Sequence, residues 1–154
     1  MHECRCDDPS VERYLARISG PLLDRIDIHL AVPGVSYGDL AGGVPGESSA
    51  TVRARVESAR ARQRARFRGL PGVRTNAQMS AREVRRWCRS EAAADGLLRE
   101  AVARLGLSAR AYHRVLKIAL TIADLAGADA VGADHVAEAS QYRSLDRRRT
   151  EAAA

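Results

Sequence analysis

The stretch Leu107–Leu125, LSARAYHRVLKIALTIADL, decides the fold. Ser108 is a helix-capping residue, and beyond it Tyr112, Val115, Leu116, Ile118, Ala119, Ile122, Ala123 and Leu125 make a helix that is apolar nearly all round. A helix of that kind has no face to give to water and belongs in the middle of a bundle. Working outward, Ser80 with Glu83 forms a reciprocal capping pair ahead of Val84, Trp87 and Cys88. A second helix is expected over 91–105 through Leu97, Leu98, Val102 and Leu105, and a further one opens at Asp134 and runs through Val136, Ala139 and Tyr142. Residues 80–146 thus read as a four-helix unit, with 147–154 a polar tail.

Upstream, a Ser at 48 or 49 caps an Arg-rich helix over 48–68. Its stripe of Val52, Val56, Ala59, Gln63 and Phe67 is bordered by seven arginines. Residues 34–47 read as a loop with one short turn at Tyr37 to Leu40, and 69–79 as a second loop. Asp8-Pro9 opens a helix through Val11, Tyr14, Leu15 and Ile18 that stops at Gly20-Pro21. Ile26 to Val32 alternates apolar and polar and reads as a strand closed by Pro33-Gly34. A lone strand cannot satisfy its edges. The expected fold is therefore mainly α: the truncated end of an α/β core over 1–33, a connecting region over 34–79, and a helical unit over 80–146.

Composition sets limits. The 154 residues carry 25 Lys plus Arg against 19 Asp plus Glu, and the only lysine is Lys117. The basic balance permits nucleic-acid contact, and a GC-rich genome would produce the same arginines. No apolar run is long enough to span a bilayer and the N-terminus does not resemble a secretory signal, so a cytoplasmic protein with no membrane partner is expected. Three cysteines without a secretion signal argue against a disulfide framework. Cys4 and Cys6, beside His2, offer half of a zinc site, since zinc takes four N or S ligands. His29, His113 and His135 share no helix face at metal-binding spacing and read as structural, and no nucleophile–base pair stands out.

CRC at 4–6, RYLARISGPLLDRIDIHLAVP at 13–33, ESSATVRARVESARARQRARF at 47–67, NAQMS at 76–80, residues 107–125 and AEASQYRSLDR at 137–147 follow one another in an order and spacing that resemble the magnesium-chelatase-like AAA+ ATPases of the bacterial competence-protein (ComM) type. Leu120, where such proteins often carry Arg, and Ser140, where an apolar residue is common, depart from the pattern. The resemblance implies a ring-forming, hexameric ATPase acting on DNA in recombination or natural transformation by branch migration, with ATP and Mg²⁺ as cofactors of the intact protein. It also implies that the phosphate loop lies upstream. No G-x-x-x-x-G-K-[ST] occurs here, so the chain alone is expected to bind ATP weakly and to turn over none.

Within the resemblance, Arg25 of LLDRID matches the arginine finger, a guanidinium that stabilises the transferring phosphate in the neighbouring subunit. The plainer reading is a salt bridge from Arg25 to Asp24 or Asp27. Arg110 matches the sensor-2 arginine of the lid, with Arg114 the alternative. An arginine in the first turn of a helix opposes the macrodipole, which hints at function. Arg55, Arg62 and Arg66 are candidates for DNA phosphate contact. Two other readings compete: a stand-alone basic helical module that binds nucleic acid, and a fragment of a magnesium chelatase ATPase subunit.

Overall fold

The computed structural model describes residues 6–42 and 46–143. Cys4, the end of the expected helical unit at 144–146 and the tail 147–154 lie outside the described residues. Eight α-helices occur among those described: α1 (Asp8–Leu15), α2 (Gly20–Leu23), α3 (Tyr37–Gly42), α4 (Ser49–Arg66), α5 (Ala81–Trp87), α6 (Ala92–Leu105), α7 (Ala109–Ala126) and α8 (Ala133–Gln141), with one 3-10 turn at Asn76–Gln78.

The helix ends follow local chemistry. Ser48 Oγ accepts from the Thr51 amide and Ser108 Oγ from the Ala111 amide, each satisfying a donor the helix leaves open. At the start of α5 the Ser80 amide donates to Glu83, and hydrogen bonding from the Ser80 side chain, then from that amide, lowers the Glu83 carboxyl below its ordinary value. Gly127 ends α7 at φ 74°, a left-handed turn that costs glycine little. Gly132, not Asp134, caps α8, and its amide donates to His135 Nδ1 at 2.9 Å.

The core sits around α7. Val115, Ala119 and Ala123 are buried with Leu116 and Leu120, facing α8 and α4, while Ile118 and Ile122 are half-buried. Phe67, Met79, Val84, Leu98, Val131 and Val136 complete it, and the Phe67 and Trp87 rings meet edge to face. α4 joins this packing through Ala59 and Gln63, whereas Val52 and Val56 of its predicted stripe are exposed. Val131 also ties two loops together, because its amide and carbonyl bond Arg89 O and the Glu91 amide.

The buried face of α7 includes a charge, Asp124. Arg66 holds it with two bonds, at 2.5 and 2.8 Å, and the Asn76 side-chain amide donates to it at 2.9 Å. Asn76 also donates to Thr121 Oγ1 at 3.0 Å and accepts from Arg66. This network fastens α4 and the NAQMS turn to the centre of the bundle.

Cys88 is buried, its thiol against the Leu116 carbonyl, and burial pushes that thiol up to about 12. A raised value stabilises the fold below the ordinary thiol pKa, and that contribution is lost as the pH climbs towards 12. At pH 8 the native protein should carry roughly a thousandfold less Cys88 thiolate than the unfolded chain. Mass-spectrometric timing of iodoacetamide labelling, native against denatured, should show Cys88 modified only on unfolding. Comparable labelling rates in both states would contradict this.

The strand expected over 26–32 does not form, and no strand occurs among the described residues. Alternation makes a strand only beside a partner ladder, and the described residues supply none. Leu30 and Val32 are 70% and 85% exposed. What replaces the ladder is docking onto the helical unit. The His29 amide donates to the Tyr142 carbonyl at 2.8 Å, Arg143 donates to the Ile26 carbonyl, and His29 and Arg143 are both buried. α1 is also shorter than expected, ending at Leu15 before the Ala16–Ile18 turn.

Candidate functional site: a cationic groove beside an exposed arginine

One face of α7 carries Arg110, His113, Arg114, Lys117 and Thr121, which the helical period brings to the same side. They line a groove of about 500 Å³. Ala77 and Met79 form one wall; Asp27, Ile28 and Tyr142 form the other. The helix expected to be apolar nearly all round keeps one polar face, with Ile118, Ile122 and Leu125 lining the groove beside its cations.

The cations differ in freedom. Arg110 is exposed and has no hydrogen bond or ion pair among the described residues. Arg114 is mostly buried, 17% exposed, and pairs with the Asp27 carboxylate. Burial, then the neighbouring Arg143 charge, lowers its pKa, and Asp24 opposes them. Lys117 Nζ donates to the Ala77 carbonyl at 2.9 Å, and burial followed by Arg114 lowers its pKa as well. Like charges gathered on one helix face, with Arg114 and Lys117 partly desolvated, are favourable ground for an anion. Across the groove Tyr142 donates to Glu138 at 3.0 Å, which raises the phenol pKa.

Arg25 lies at the turn after α2, where its amide donates to the Leu22 carbonyl. Its side chain is exposed and has no ion pair among the described residues. The two carboxylates beside it are engaged elsewhere: Ser108 Oγ donates to Asp24 at 3.0 Å, and Asp27 holds Arg114. The structure thus brings Arg25 into one neighbourhood with the start of α7.

The arginines of α4 are placed differently. Arg55 makes a two-pronged contact with Glu47 on the exposed surface, at 3.0 and 2.9 Å. Arg62 bonds Asp129 and the Ala128 carbonyl, and Arg66 is held by Asp124. Cys6 is exposed, and no group of three or more His, Cys, Asp or Glu able to hold a metal gathers among the described residues. No helix among them is long and apolar enough to cross a membrane. Lys117 and His113 are groove residues that the sequence did not single out. The signal was there in part, because Lys117 is the only lysine and stands three residues after Arg114.

Comparison with known proteins places this geometry. Residues 46–143 match the family model "Magnesium chelatase, subunit ChlI C-terminal", and residues 1–40 match "Magnesium chelatase, subunit ChlI". The chain is 44% identical over 144 residues to the uncharacterized protein YifB of Escherichia coli, covering 93% of this chain and 28% of that protein. It is 40% identical over 144 residues to the competence protein ComM of Haemophilus influenzae, covering 93% and 27%. It is 40% identical over 147 residues to the uncharacterized protein Rv2897c of Mycobacterium tuberculosis, covering 96% and 29%. The chain thus spans little more than a quarter of the length of these relatives, and it belongs to the magnesium-chelatase-like ATPase family, carrying that family's helical C-terminal part.

Proposed function

We propose that this chain is the finger-and-lid segment of a ring-forming ATPase that works on DNA during recombination or transformation. In this reading Arg25 reaches the ATP of a neighbouring subunit, and Arg110 senses nucleotide at the mouth of the α7 groove, with Arg114 and Lys117 behind it. The observation that carries the reading is the environment of Arg25. It stands exposed while both carboxylates that could neutralise it are engaged by the start of α7. An unpaired guanidinium held at a fixed turn is what a finger needs, because its charge must meet phosphate and not its own neighbours.

Bound magnesium-ATP supplies the transferable phosphoryl group. The residues of this chain supply cationic contact to phosphate oxygens, Arg110 first because it has no competing partner. Hexameric assembly and DNA as substrate follow the likeness to the competence protein and belong to the intact ring. Arg55, Arg62 and Arg66 remain candidates for DNA contact there, Arg55 being the most accessible.

The chain alone should show no ATP turnover above buffer, and mixing it with the separately expressed upstream half should restore turnover. Turnover by the isolated chain that disappears when Arg110 is replaced by Ala would overturn the reading. So would failure of a folded, nucleotide-bound upstream half to gain activity from this chain.

A further inference from the structure

A second cavity, about 560 Å³, lies between α4 and the end of α5 and shares no lining residue with the α7 groove. Four arginines line it: Arg62 and Arg66 from α4, Arg86 from α5 and Arg89 just beyond. The two from α4 have carboxylate partners: Arg62 pairs with Asp129 at 2.6 Å and lies 3.8 Å from Asp124, and Arg66 pairs with Asp124 at 2.5 Å. Arg86 and Arg89 are exposed and have no carboxylate partner among the described residues. Arg86 lies over the Trp87 ring at 4.8 Å, which orients the guanidinium by its face and leaves the N–H donors at its edge unspent.

The helix macrodipole accounts for a basic residue in the last turn of α5. It does not account for Arg89 beyond that turn, nor for the convergence of four guanidiniums on one concavity. The excess positive charge calls for an anion, and planar forks suit a tetrahedral oxyanion. Asp129 already shows the contact: its side chain is 99% exposed, yet it reaches in to Arg62. A phosphate oxygen would make the same bond. We infer that this cavity is a phosphate-binding site in which Arg86 and Arg89 grip the phosphate and Arg62 exchanges Asp129 for it. The inference is independent of the ATPase reading.

Trp87 is the only tryptophan and lines this cavity, so its fluorescence reports on binding there. Inorganic phosphate, pyrophosphate and a short oligothymidylate are titrated into the whole chain at low ionic strength, and each saturable change is fitted. The double variant Arg86→Ala/Arg89→Ala should weaken binding about tenfold or more. The control Arg53→Ala/Arg64→Ala, which removes two exposed α4 arginines outside the cavity, should stay within about twofold. Asp129→Asn removes the competing carboxylate and should tighten binding about threefold, a gain that unfolding cannot mimic. For the oligonucleotide, the salt slope should fall by about 1.4 in the first double variant, at about 0.7 per lost phosphate contact. Much tighter binding of the oligonucleotide than of inorganic phosphate identifies a strand as the source. Equal binding identifies a small phosphate. Both outcomes support the site. No saturable change, or equal losses in the two double variants with circular dichroism unchanged, would overturn it.

Discussion

With the upstream nucleotide-binding half restored, Arg25→Ala should lower ATP hydrolysis by about a thousandfold while leaving nucleotide affinity and folding nearly unchanged. Folding should survive because the side chain is exposed and has no ion pair among the described residues. Affinity should survive because the phosphate loop belongs to the other half. The loss should be in turnover because the guanidinium meets charge that builds only in the transition state. Arg25→Lys should recover little, since an ammonium keeps the charge but not the planar fork. Mixing Arg25→Ala subunits with subunits that lack a working phosphate loop but keep Arg25 should restore part of the activity, each supplying what its neighbour lacks. Steady-state turnover and fluorescent-nucleotide binding, measured in parallel, read the outcome. Hydrolysis near wild type, or a loss that tracks a fall in melting temperature, would make Arg25 a surface residue of the turn after α2.

The largest effect on stability should come from Asp124→Ala. The Asp124 side chain is fully buried, and its partners Arg66 and Asn76 are themselves 13% exposed at the side chain and 1% exposed overall. Removing the carboxylate leaves a largely desolvated guanidinium without its counter-ion and a buried amide with one acceptor fewer, since only the Arg66–Asn76 and Asn76–Thr121 bonds remain. Breaking a buried pair from one side costs about 3–5 kcal/mol. Arg55→Ala removes the Glu47 pair, whose side chains are 49% and 43% exposed, and should cost about 1 kcal/mol or less. Urea unfolding monitored by circular dichroism compares the two directly. Equal midpoints would mean that the Asp124 network contributes no more than a surface pair. A double replacement of Asp124 and Arg66 by apolar residues of similar volume should recover much of the loss, because the penalty lies in the orphaned charge.

Much of the helical unit was legible because its signals are local. The capping serines at 48, 80 and 108 and the apolar run after Tyr112 act within a few residues, and the elements start where they point. The reading failed where a distant partner decides. Ile26, Ile28, Leu30 and Val32 have the pattern of a strand, yet a ladder needs neighbours and the segment docks on α8's end instead. Polar pairing was equally out of reach. Asp27 meets Arg114 and Arg66 meets Asp124 across most of the fold, and nothing local matches one arginine among many to its carboxylate. Arg25, Arg110 and Arg114 were visible through family likeness, and the geometry adds the pairing that separates the exposed two from the engaged third.

The docking of residues 26–29 is largely written in main-chain atoms: the amide at His29, the carbonyl at Ile26 and the carbonyl at Tyr142. At Ile26 and Ile28 such a junction is nearly invisible to alanine scanning, because truncating either side chain leaves every one of these groups in place; Asp27, which pairs with Arg114, and the buried His29 are the positions in the segment where a side chain adds to it. The main-chain part is read out by a change that alters the backbone: proline at position 29 would delete the donor itself. From the helical side, Arg143 and Arg114 are the side chains that reach the segment, at the Ile26 carbonyl and at Asp27.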